Sequence, residues 1–223
     1  MKERPILLNA EMVRAVLDGR KTQTRRVIQS PAKNMQANGQ KVIDYREPGD
    51  KWYGEHVFSM LNQSGTWCDY TKEQLLAKCP FGEVGDRLWV RETFRVHSRA
   101  TDVATLVYKA SERQSWTEQT HRVPVSVCNK PAVIEKWTPS IHMPRWASRI
   151  TLEITGVRVE RLASISNEDA AKEGYPANPE PYGGQMDRWL WFRQLWDGIY
   201  PEQSFKRDPW VWVIEFKRLE VHG

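Results

Sequence analysis

Apolar positions recur along the chain with two periods, one typical of helices and one typical of strands. Between Asn9, which suits a helix N-cap, and Gly19, which suits a helix C-terminus, apolar residues recur at helical spacing. A short amphipathic helix is therefore predicted there. Similar cap patterns predict helices at 71–78, at 166–174 and at about 186–197.

Strands are predicted where apolar and polar residues alternate, or where aromatic and branched residues cluster. A hairpin is expected from 51–61 and 66–70, and further strands at 87–94, 104–110, 149–162 and 209–219. The last strand is apolar on both faces and is expected in the centre of a sheet, while Gly156 predicts a bulge in the strand before it. Residues 30–51 and 111–147 are rich in turn formers and are predicted to be loops.

The order of these elements indicates an α+β fold. Because the strands do not alternate with helices, we expect a curled, mostly antiparallel, barrel-like sheet with flanking helices. A chain of 223 residues is long enough for one well-buried core, and no long linker divides it, so a single domain is expected.

Composition favours an acidic partner and a reducing compartment. The net charge of +5 and the pI of about 9.1 favour nucleic acid or a nucleotide, and some of the eleven tryptophans could stack on bases. Three widely spaced cysteines argue against disulfides, and neither a C-x-x-C nor a zinc-deaminase motif occurs, so no metal or cofactor is expected. No run of about 18 apolar residues and no signal-peptide pattern is present, so we expect a cytoplasmic protein without a membrane partner.

The strongest chemical signal lies directly after the first predicted helix. Four cations and two hydroxyls occupy residues 20–26, namely Arg20, Lys21, Thr22, Thr24, Arg25 and Arg26. Core packing has little use for such a cluster, whereas an anion or nucleotide site needs one.

Four islands of sequence resemble the ASCH domain, a PUA-like β-barrel. They are Gly19-Arg-Lys-Thr-x-Thr-x-Arg26, Gly85-Asp-x-Leu-Trp-Val90, the helix that ends at Glu173, and Val213-Ile-Glu-Phe-Lys217. The chain looks most like the longer ASCH proteins of phages and prophages, and it is also similar to small bacterial ASCH enzymes that hydrolyse N4-acetylcytidine. The resemblance implies one PUA-like domain over residues 1–223, with insertions at about 30–78 and 95–145.

The resemblance also implies a catalytic lysine, threonine and glutamate. In this sequence they fall on Lys21, Thr24 and Glu173. The glutamate match crosses a gap, so Glu168 or Asp169 is an alternative counterpart.

The chemistry of amide hydrolysis fits these three residue types, because it needs a nucleophile, a base and an acid for the leaving amine. Lys21 can be the base only as the neutral amine. Repulsion from the neighbouring arginines, with burial added, is expected to lower its pKa. Glu173 lies in the last turn of its predicted helix, where the macrodipole disfavours a negative charge, which suits a proton donor. The attacking group is either Thr24 or a water molecule that Lys21 and Glu173 serve as an acid–base pair.

Other polar and aromatic residues are candidates for substrate binding in a pocket walled by residues 19–26 and by the strand 87–94. An arginine there can hold a base carbonyl or an oxyanion. Arg91 and Glu92 have opposite strand parity, so only one of them can face the pocket, and Glu92 is favoured. Surface ion pairs and ordinary loop packing are the structural alternatives. The full set of substrate-binding candidates is Arg20, Thr22, Arg26, Trp89, Arg91, Glu92, His142, Arg145 and Trp146.

Three functions remain open at this stage. The first is a metal-free amidohydrolase that acts on an N-acylated pyrimidine nucleoside such as N4-acetylcytidine. The second is a PUA-like module that binds RNA or another nucleic acid without catalysis. The third is an ASCH ribonuclease, although the five histidines show no obvious pairing. The partner is a modified nucleoside or RNA in each case, and the sequence leaves the oligomeric state open.

Overall fold

A five-stranded mixed sheet is the centre of the fold in the computed structural model, which describes residues 1–177 and 187–219. Its strands, in spatial order, are β1 (Glu3–Leu7), β6 (Arg87–Arg91), β10 (Thr151–Arg161), β11 (Trp210–Leu219) and β2 (Gln23–Val27). Only β1 and β6 pair in parallel, and the other neighbours are antiparallel. The predicted α+β class and the mostly antiparallel sheet are confirmed.

Strand β11 lies between β10 and β2, as its apolar faces predict. Trp212, Ile214 and Phe216 contribute to the main hydrophobic core, whereas Val211 and Val213 belong to a second cluster on the other face. Alternate residues of a strand point to opposite faces of the sheet. One strand therefore supplies both cores, which explains why its sequence shows no polar face.

Strand β10 carries the predicted bulge. Its register against β11 shifts between Ile154 and Gly156, so that Ile154 pairs with Phe216 and Gly156 pairs with Glu215. Glycine at residue 156 leaves room for the Glu215 side chain, because a Cβ atom there would lie 2.9 Å from its carboxylate and 3.4 Å from its Cβ atom. The glycine thus allows that side chain to cross the sheet surface at the bulge.

The predicted helices flank this sheet. Helix α1 spans Ala10–Leu17, and the Asn9 side chain accepts a hydrogen bond from the Met12 amide at 2.8 Å. Helix α5 spans Asn167–Lys172, with Ser166 as its N-cap and Gly174 beyond its end at φ +107°. The other predicted helices are α3 (Lys72–Leu76) and α6 (Asp187–Ile199).

The two segments expected to be insertions each build a small antiparallel sheet. The first contains β3 (Ile43–Tyr45), β4 (His56–Leu61) and β5 (Trp67–Thr71), and the second contains β7 (Phe94–Arg99), β8 (Val103–Tyr108) and β9 (Thr120–Pro124). The loop predictions for 30–51 and 111–147 were therefore too simple, since α2 (Lys33–Ala37), β3, α4 (Trp116–Gln119) and β9 lie inside them. These elements have three to five residues each, which is too short for a periodic signal.

The main sheet is open within residues 1–177 and 187–219, because its edge strands β1 and β2 do not pair with each other. They nevertheless approach at one end, where the Arg26 Nη2 atom donates a hydrogen bond to the Leu7 carbonyl oxygen at 2.7 Å. Within the same residues, no helix combines the length and apolarity needed to cross a membrane.

The residue after α5 offers a test of how closely α1, α5 and β2 fit together. A Cβ atom at Gly174 would lie 2.9 Å from the Ala15 Cβ atom, whereas one at Gly65, which also has a positive φ, would meet nothing within 4 Å. We expect Gly65→Ala to cost about 1 kcal/mol of unfolding free energy from backbone strain alone. Gly174→Ala should cost roughly 2–4 kcal/mol, because crowding adds to the strain. Urea unfolding of both variants measures the difference, and equal losses would show that the helix ends move apart freely.

Candidate active site

The end of α5 and the start of β2 lie side by side and bring Lys21 to Glu173. The two residues form an isolated antiparallel bridge, and the Thr22 amide donates to the Lys172 carbonyl oxygen at 3.0 Å. On its other side, the Lys21 amide donates to the Ala15 carbonyl oxygen at 2.9 Å. Backbone hydrogen bonds to two helices therefore fix the position of Lys21.

The side chains of Lys21 and Glu173 form a buried ion pair. The Nζ atom of Lys21 is 2.7 Å from Oε2 of Glu173 and 2.8 Å from its carbonyl oxygen, and the two side chains are 0% and 3% exposed. Burial lowers the pKa of Lys21, the Glu173 carboxylate opposes that shift, and the charges of Arg26 and Arg25 add smaller lowering effects. The predicted direction is confirmed, but burial is the main cause and repulsion from arginines is secondary.

Arg25 holds the other oxygen of Glu173. Its fully buried guanidinium lies 3.1 Å from Glu173 Oε1 and 3.2 Å from carboxylate oxygens of both Glu160 and Asp169. It also donates to the Gln23 side-chain oxygen at 2.6 Å. Both carboxylate oxygens of Glu173 are thus bonded to cations, as a buried carboxylate requires.

Further charged side chains extend this arrangement to the edge of the protein. Arg158 pairs with Glu160, Asp169 and Glu215. Burial raises the pKa of Asp169, but its bond to Lys172 and the charges of Arg158 and Arg25 outweigh burial and lower it overall. We call the whole set the ion network, and its members are Lys21, Arg25, Arg158, Glu160, Asp169, Glu173 and Glu215.

A small cavity adjoins the ion network at Thr24. Its volume is about 10 Å³, and Thr24 and Glu173 line it together with Phe192, Trp196 and Tyr200 on and just after helix α6. A space of this size holds about one water molecule. The Thr24 hydroxyl is buried there and has no hydrogen-bond partner among residues 1–177 and 187–219. The site thus offers one polar group and one carboxylate to a single small molecule.

The structure also shows where Glu168 and Asp169, the two alternatives to Glu173, lie. Glu168 is exposed, and Asp169 bonds to Arg25 and Arg158. Glu173 is the carboxylate that the structure brings to Lys21 and to the cavity at Thr24.

The remaining residues of the 20–26 cluster have different surroundings. Arg20 donates to the carbonyl oxygens of Gly174 and Tyr175 at 3.0 and 2.9 Å and so holds the chain beyond α5. Thr22 is exposed. Arg26 lines the cavity at Thr24 while one of its nitrogen atoms remains bonded to the carbonyl oxygen at the end of β1. Of these candidates, Arg26 is the one that borders the cavity.

Glu92 lies in a second buried ion pair, apart from the ion network. Arg149 contacts both of its oxygens, at 2.9 and 3.1 Å, and also donates to Ser111. Burial raises the pKa of Glu92, and Arg149 opposes the shift. Neighbouring Arg91 donates to the Ile141 carbonyl oxygen, and its guanidinium carbon lies 5.5 Å from the ring centroid of Trp89.

The predicted pocket wall is not formed at Thr24. The strands β6 and β2 are separated in the sheet by β10 and β11, and no residue of 87–94 lines the cavity. The loop candidates also lie elsewhere. Arg145 pairs with Glu3 at 2.9 Å, Trp146 contacts Phe94 edge-on, and His142 lines a separate cavity of about 450 Å³. The structure therefore gathers Lys21, Thr24, Glu173 and Arg26, and leaves the other candidates outside.

Sequence reasoning missed Arg158, Glu160 and Glu215 of the ion network, and it missed the aromatic side chains of α6 at the cavity. A signal for the network exists in retrospect. Gln23 and Arg25 alternate in one strand, and Arg158 and Glu160 alternate in another, so each pair shares a face. The sequence pattern does not show that the Gln23–Arg25 pair and the Arg158–Glu160 pair lie on the same face of the sheet. That depends on how β11, the strand between them, is paired with each of the two strands.

Comparison of the chain with protein-family models, with curated proteins and with solved structures finds no match. Within residues 1–177 and 187–219, no group of three or more histidine, cysteine, aspartate or glutamate side chains is arranged to hold a metal ion. The geometry of the ion network and the motif at 19–26 are therefore the basis for assigning a function.

The pairing of Lys21 with Glu173 can be tested by measuring the free energy of unfolding of variants. Removing one partner leaves an uncompensated buried charge, which typically costs about 3–5 kcal/mol. Glu173→Leu should destabilise the protein by that amount, because Lys21 and Arg25 both lose a carboxylate. The double variant Lys21→Met/Glu173→Leu should recover much of the loss, because Arg25 alone then loses a carboxylate and it keeps Glu160 and Asp169. The second single variant is Lys21→Met. Urea unfolding of the two single variants and the double variant gives the coupling energy, and additive losses would contradict a direct pair.

Proposed function

We propose that the chain is an ASCH-type amidohydrolase that removes the acyl group from an N-acylated pyrimidine nucleoside such as N4-acetylcytidine. One observation carries the proposal. A buried lysine with a lowered pKa lies 2.7 Å from a glutamate, and that glutamate shares a water-sized cavity with an unpaired threonine hydroxyl. Perturbed titratable groups that meet at a cavity are typical of acid–base catalysis.

The bonding of the 20–26 cluster favours catalysis over a nucleic-acid-binding module. Lys21 and Arg25 are fully buried and bonded to carboxylates, and Arg20 is bonded to backbone oxygens. Phosphate contacts require exposed cations that are free to meet the backbone of a nucleic acid. Two of the four cations that suggested such a module are therefore buried, and a third, the partly exposed Arg20, is held by backbone oxygens and by Asp18.

A ribonuclease is the third candidate, and the composition of the site argues against it. The acid–base groups of the ion network are a lysine and carboxylates, and the hydrogen bonds of its described members include no histidine. The best supported reaction is one in which a lysine–glutamate pair accepts and returns a proton.

The proposed reaction uses a water molecule held between the Thr24 hydroxyl and Glu173. The water oxygen attacks the acyl carbonyl carbon, and its proton passes to the Lys21–Glu173 pair through the Glu173 carboxylate. Lys21 can share that proton because its neutral amine is accessible at a lowered pKa. The bond between the acyl carbon and N4 then breaks, N4 takes the proton from the pair, and the carboxylic acid and cytidine leave. Lys21 bonds to Glu173 and not to Thr24, which supports water over the threonine as the attacking group.

Two further features support the proposal. Arg26 borders the cavity, where its guanidinium can stabilise the oxyanion that forms on the attacked carbonyl. The hydrogen bond from the Arg26 side chain to the Leu7 carbonyl oxygen links the two edge strands at one end of the open sheet, which supports a PUA-like arrangement. We include the barrel and the ASCH assignment in the proposal on these grounds.

Turnover of N4-acetylcytidine tests the function directly. The protein should release acetate and cytidine, as measured by chromatography, and should leave an RNA oligomer intact. Lys21→Arg keeps the positive charge, but guanidinium cannot lose its proton at neutral pH. We therefore expect this variant to lose about 10²–10⁴-fold in kcat, the usual contribution of general acid–base catalysis.

Matched controls separate this loss from misfolding. Lys109 is exposed and far from the ion network in sequence, so Lys109→Arg should behave as the unmodified protein. Circular dichroism should show that Lys21→Arg is folded at the assay temperature. Turnover near that of the unmodified protein in folded Lys21→Arg would refute Lys21 as a proton acceptor.

The pH profile offers an independent test. Burial lowers the pKa of Lys21, so the neutral amine becomes available at a pH below the ~10.4 of a free lysine. We expect kcat/KM to rise with pH as Lys21 loses its proton, and to level off above its pKa in the folded protein. Initial rates measured between about pH 5 and 10 check the sign. A profile that is flat or falls across this range would contradict a neutral lysine in the reaction.

A further inference from the structure

A larger cavity lies next to the one at Thr24. Its volume is about 640 Å³, which is within the range of small-molecule sites. Strands β2 and β11 form one side, and residues of the 30–78 insertion, among them Lys33, Met60 and Tyr70, form the other. The insertion, to which the resemblance assigns no role, thus builds a wall beside the candidate active site.

The two cavities are continuous in their lining. Arg26 and Tyr200 border both of them. A ligand in the larger cavity therefore contacts two side chains that also border the space at Thr24. This position suits the part of a substrate that is bound while another part reacts.

The chemistry of the larger cavity is basic and aromatic. Its cations are Arg26, Lys33 and Lys78, and its aromatic residues are Tyr70, Phe81, Tyr200 and Trp212. No carboxylate is among the described residues that line it. Lysine and arginine side chains bind phosphate, and aromatic rings stack on nucleobases.

Among the described residues, cations and an aromatic side chain without a carboxylate also line two other cavities, but neither of these shares a residue with the cavity at Thr24. A third groove, near Trp210, is larger, at about 1,060 Å³, but it is lined by Glu55, Glu73 and Glu160 as well as by cations. Mixed charge gives no preference for an anion. The cavity beside Arg26 has the one-sided charge that an anionic ligand needs.

We propose that this cavity binds a nucleoside monophosphate, with the phosphate at Lys33 and Lys78 and the base against the aromatic side chains. Both lysines are exposed, so they are available to a ligand, and the Lys78 ammonium lies 4.9 Å from the Tyr70 ring centroid. Phosphate and stacking groups are therefore adjacent. We further infer that the ligand is an acylated cytidine nucleotide and that it is hydrolysed in preference to the free nucleoside. This part of the inference rests on the proposed function.

Direct binding tests this site without any need for turnover. Isothermal titration calorimetry should show that cytidine 5′-monophosphate binds at least about tenfold more tightly than cytidine, because only the nucleotide reaches the lysines with a charge. In the double variant Lys33→Ala/Lys78→Ala, the ratio of the two affinities should fall toward one. Lys109→Ala removes an exposed lysine outside the cavity and should leave the ratio unchanged.

Several outcomes would overturn the site. Equal affinities for cytidine and its monophosphate, no binding of either at millimolar concentration, or an unchanged ratio in the double variant would each do so. Tight binding of an RNA oligomer without binding of the monophosphate would assign the cavity to polynucleotides instead. If the monophosphate binds as expected but N4-acetylcytidine is not hydrolysed, the nucleotide site is supported and the proposed amidohydrolase function is refuted. If N4-acetylcytidine is hydrolysed but the monophosphate binds no more tightly than cytidine, the function is supported and the nucleotide site is refuted.

Discussion

A lysine without access to water requires a negative partner, and the surroundings of the candidate site are arranged around that requirement. Lys21 reaches Glu173 only because β2 begins where α5 ends. The desolvation of a charge is repaid only when its partners are close and its remaining protons are bonded. The carboxylate and the carbonyl oxygen of Glu173 accept two of the three protons of the Lys21 ammonium. The junction of the strand and the helix is therefore fixed by electrostatics as well as by apolar contact.

The ion network also determines what can react. Glu173 is bonded through one oxygen to a lysine and through the other to an arginine, which holds its carboxylate in one orientation. The Thr24 hydroxyl beside it has no described partner and adjoins space for about one water molecule. The Nε atom of Arg25, a residue that also lines this space, has no described partner either, so both groups are available to a bound water molecule. Because this space is no larger than a water molecule, the acyl group of a substrate can reach Thr24 only after side chains that line the cavity move.

The sequence predicted those parts of the structure that depend on local rules. Caps at Asn9 and Ser166, the central position of β11 and the bulge at Gly156 are each encoded within a few residues. The pairing of Arg25 with Glu160 and Asp169 depends on strand register and on the position of α5, and neither is visible in a local pattern. Glu92 illustrates the limit. Strand parity showed that it and Arg91 point to opposite faces, but only the tertiary structure shows that its face meets Arg149.

The bulge in β10 has a consequence for the whole strand. Before the bulge, the even-numbered residues Leu152 and Ile154 face the main core. After the bulge, the odd-numbered residues Val157 and Val159 contact that core. The even-numbered residues Arg158 and Glu160 then lie on the other face and join the ion network. The extra residue thus changes which residues face the core, from even-numbered before the bulge to odd-numbered after it. Loss of the unpaired residue 155 would remove the bulge and restore a regular alternation, with Val157 and Val159 still on the side of the main core. Regular pairing of the strand at its full length would instead turn the two valines to the charged side and Arg158 and Glu160 to the apolar side, so the bulge is what lets a strand of this length serve both faces.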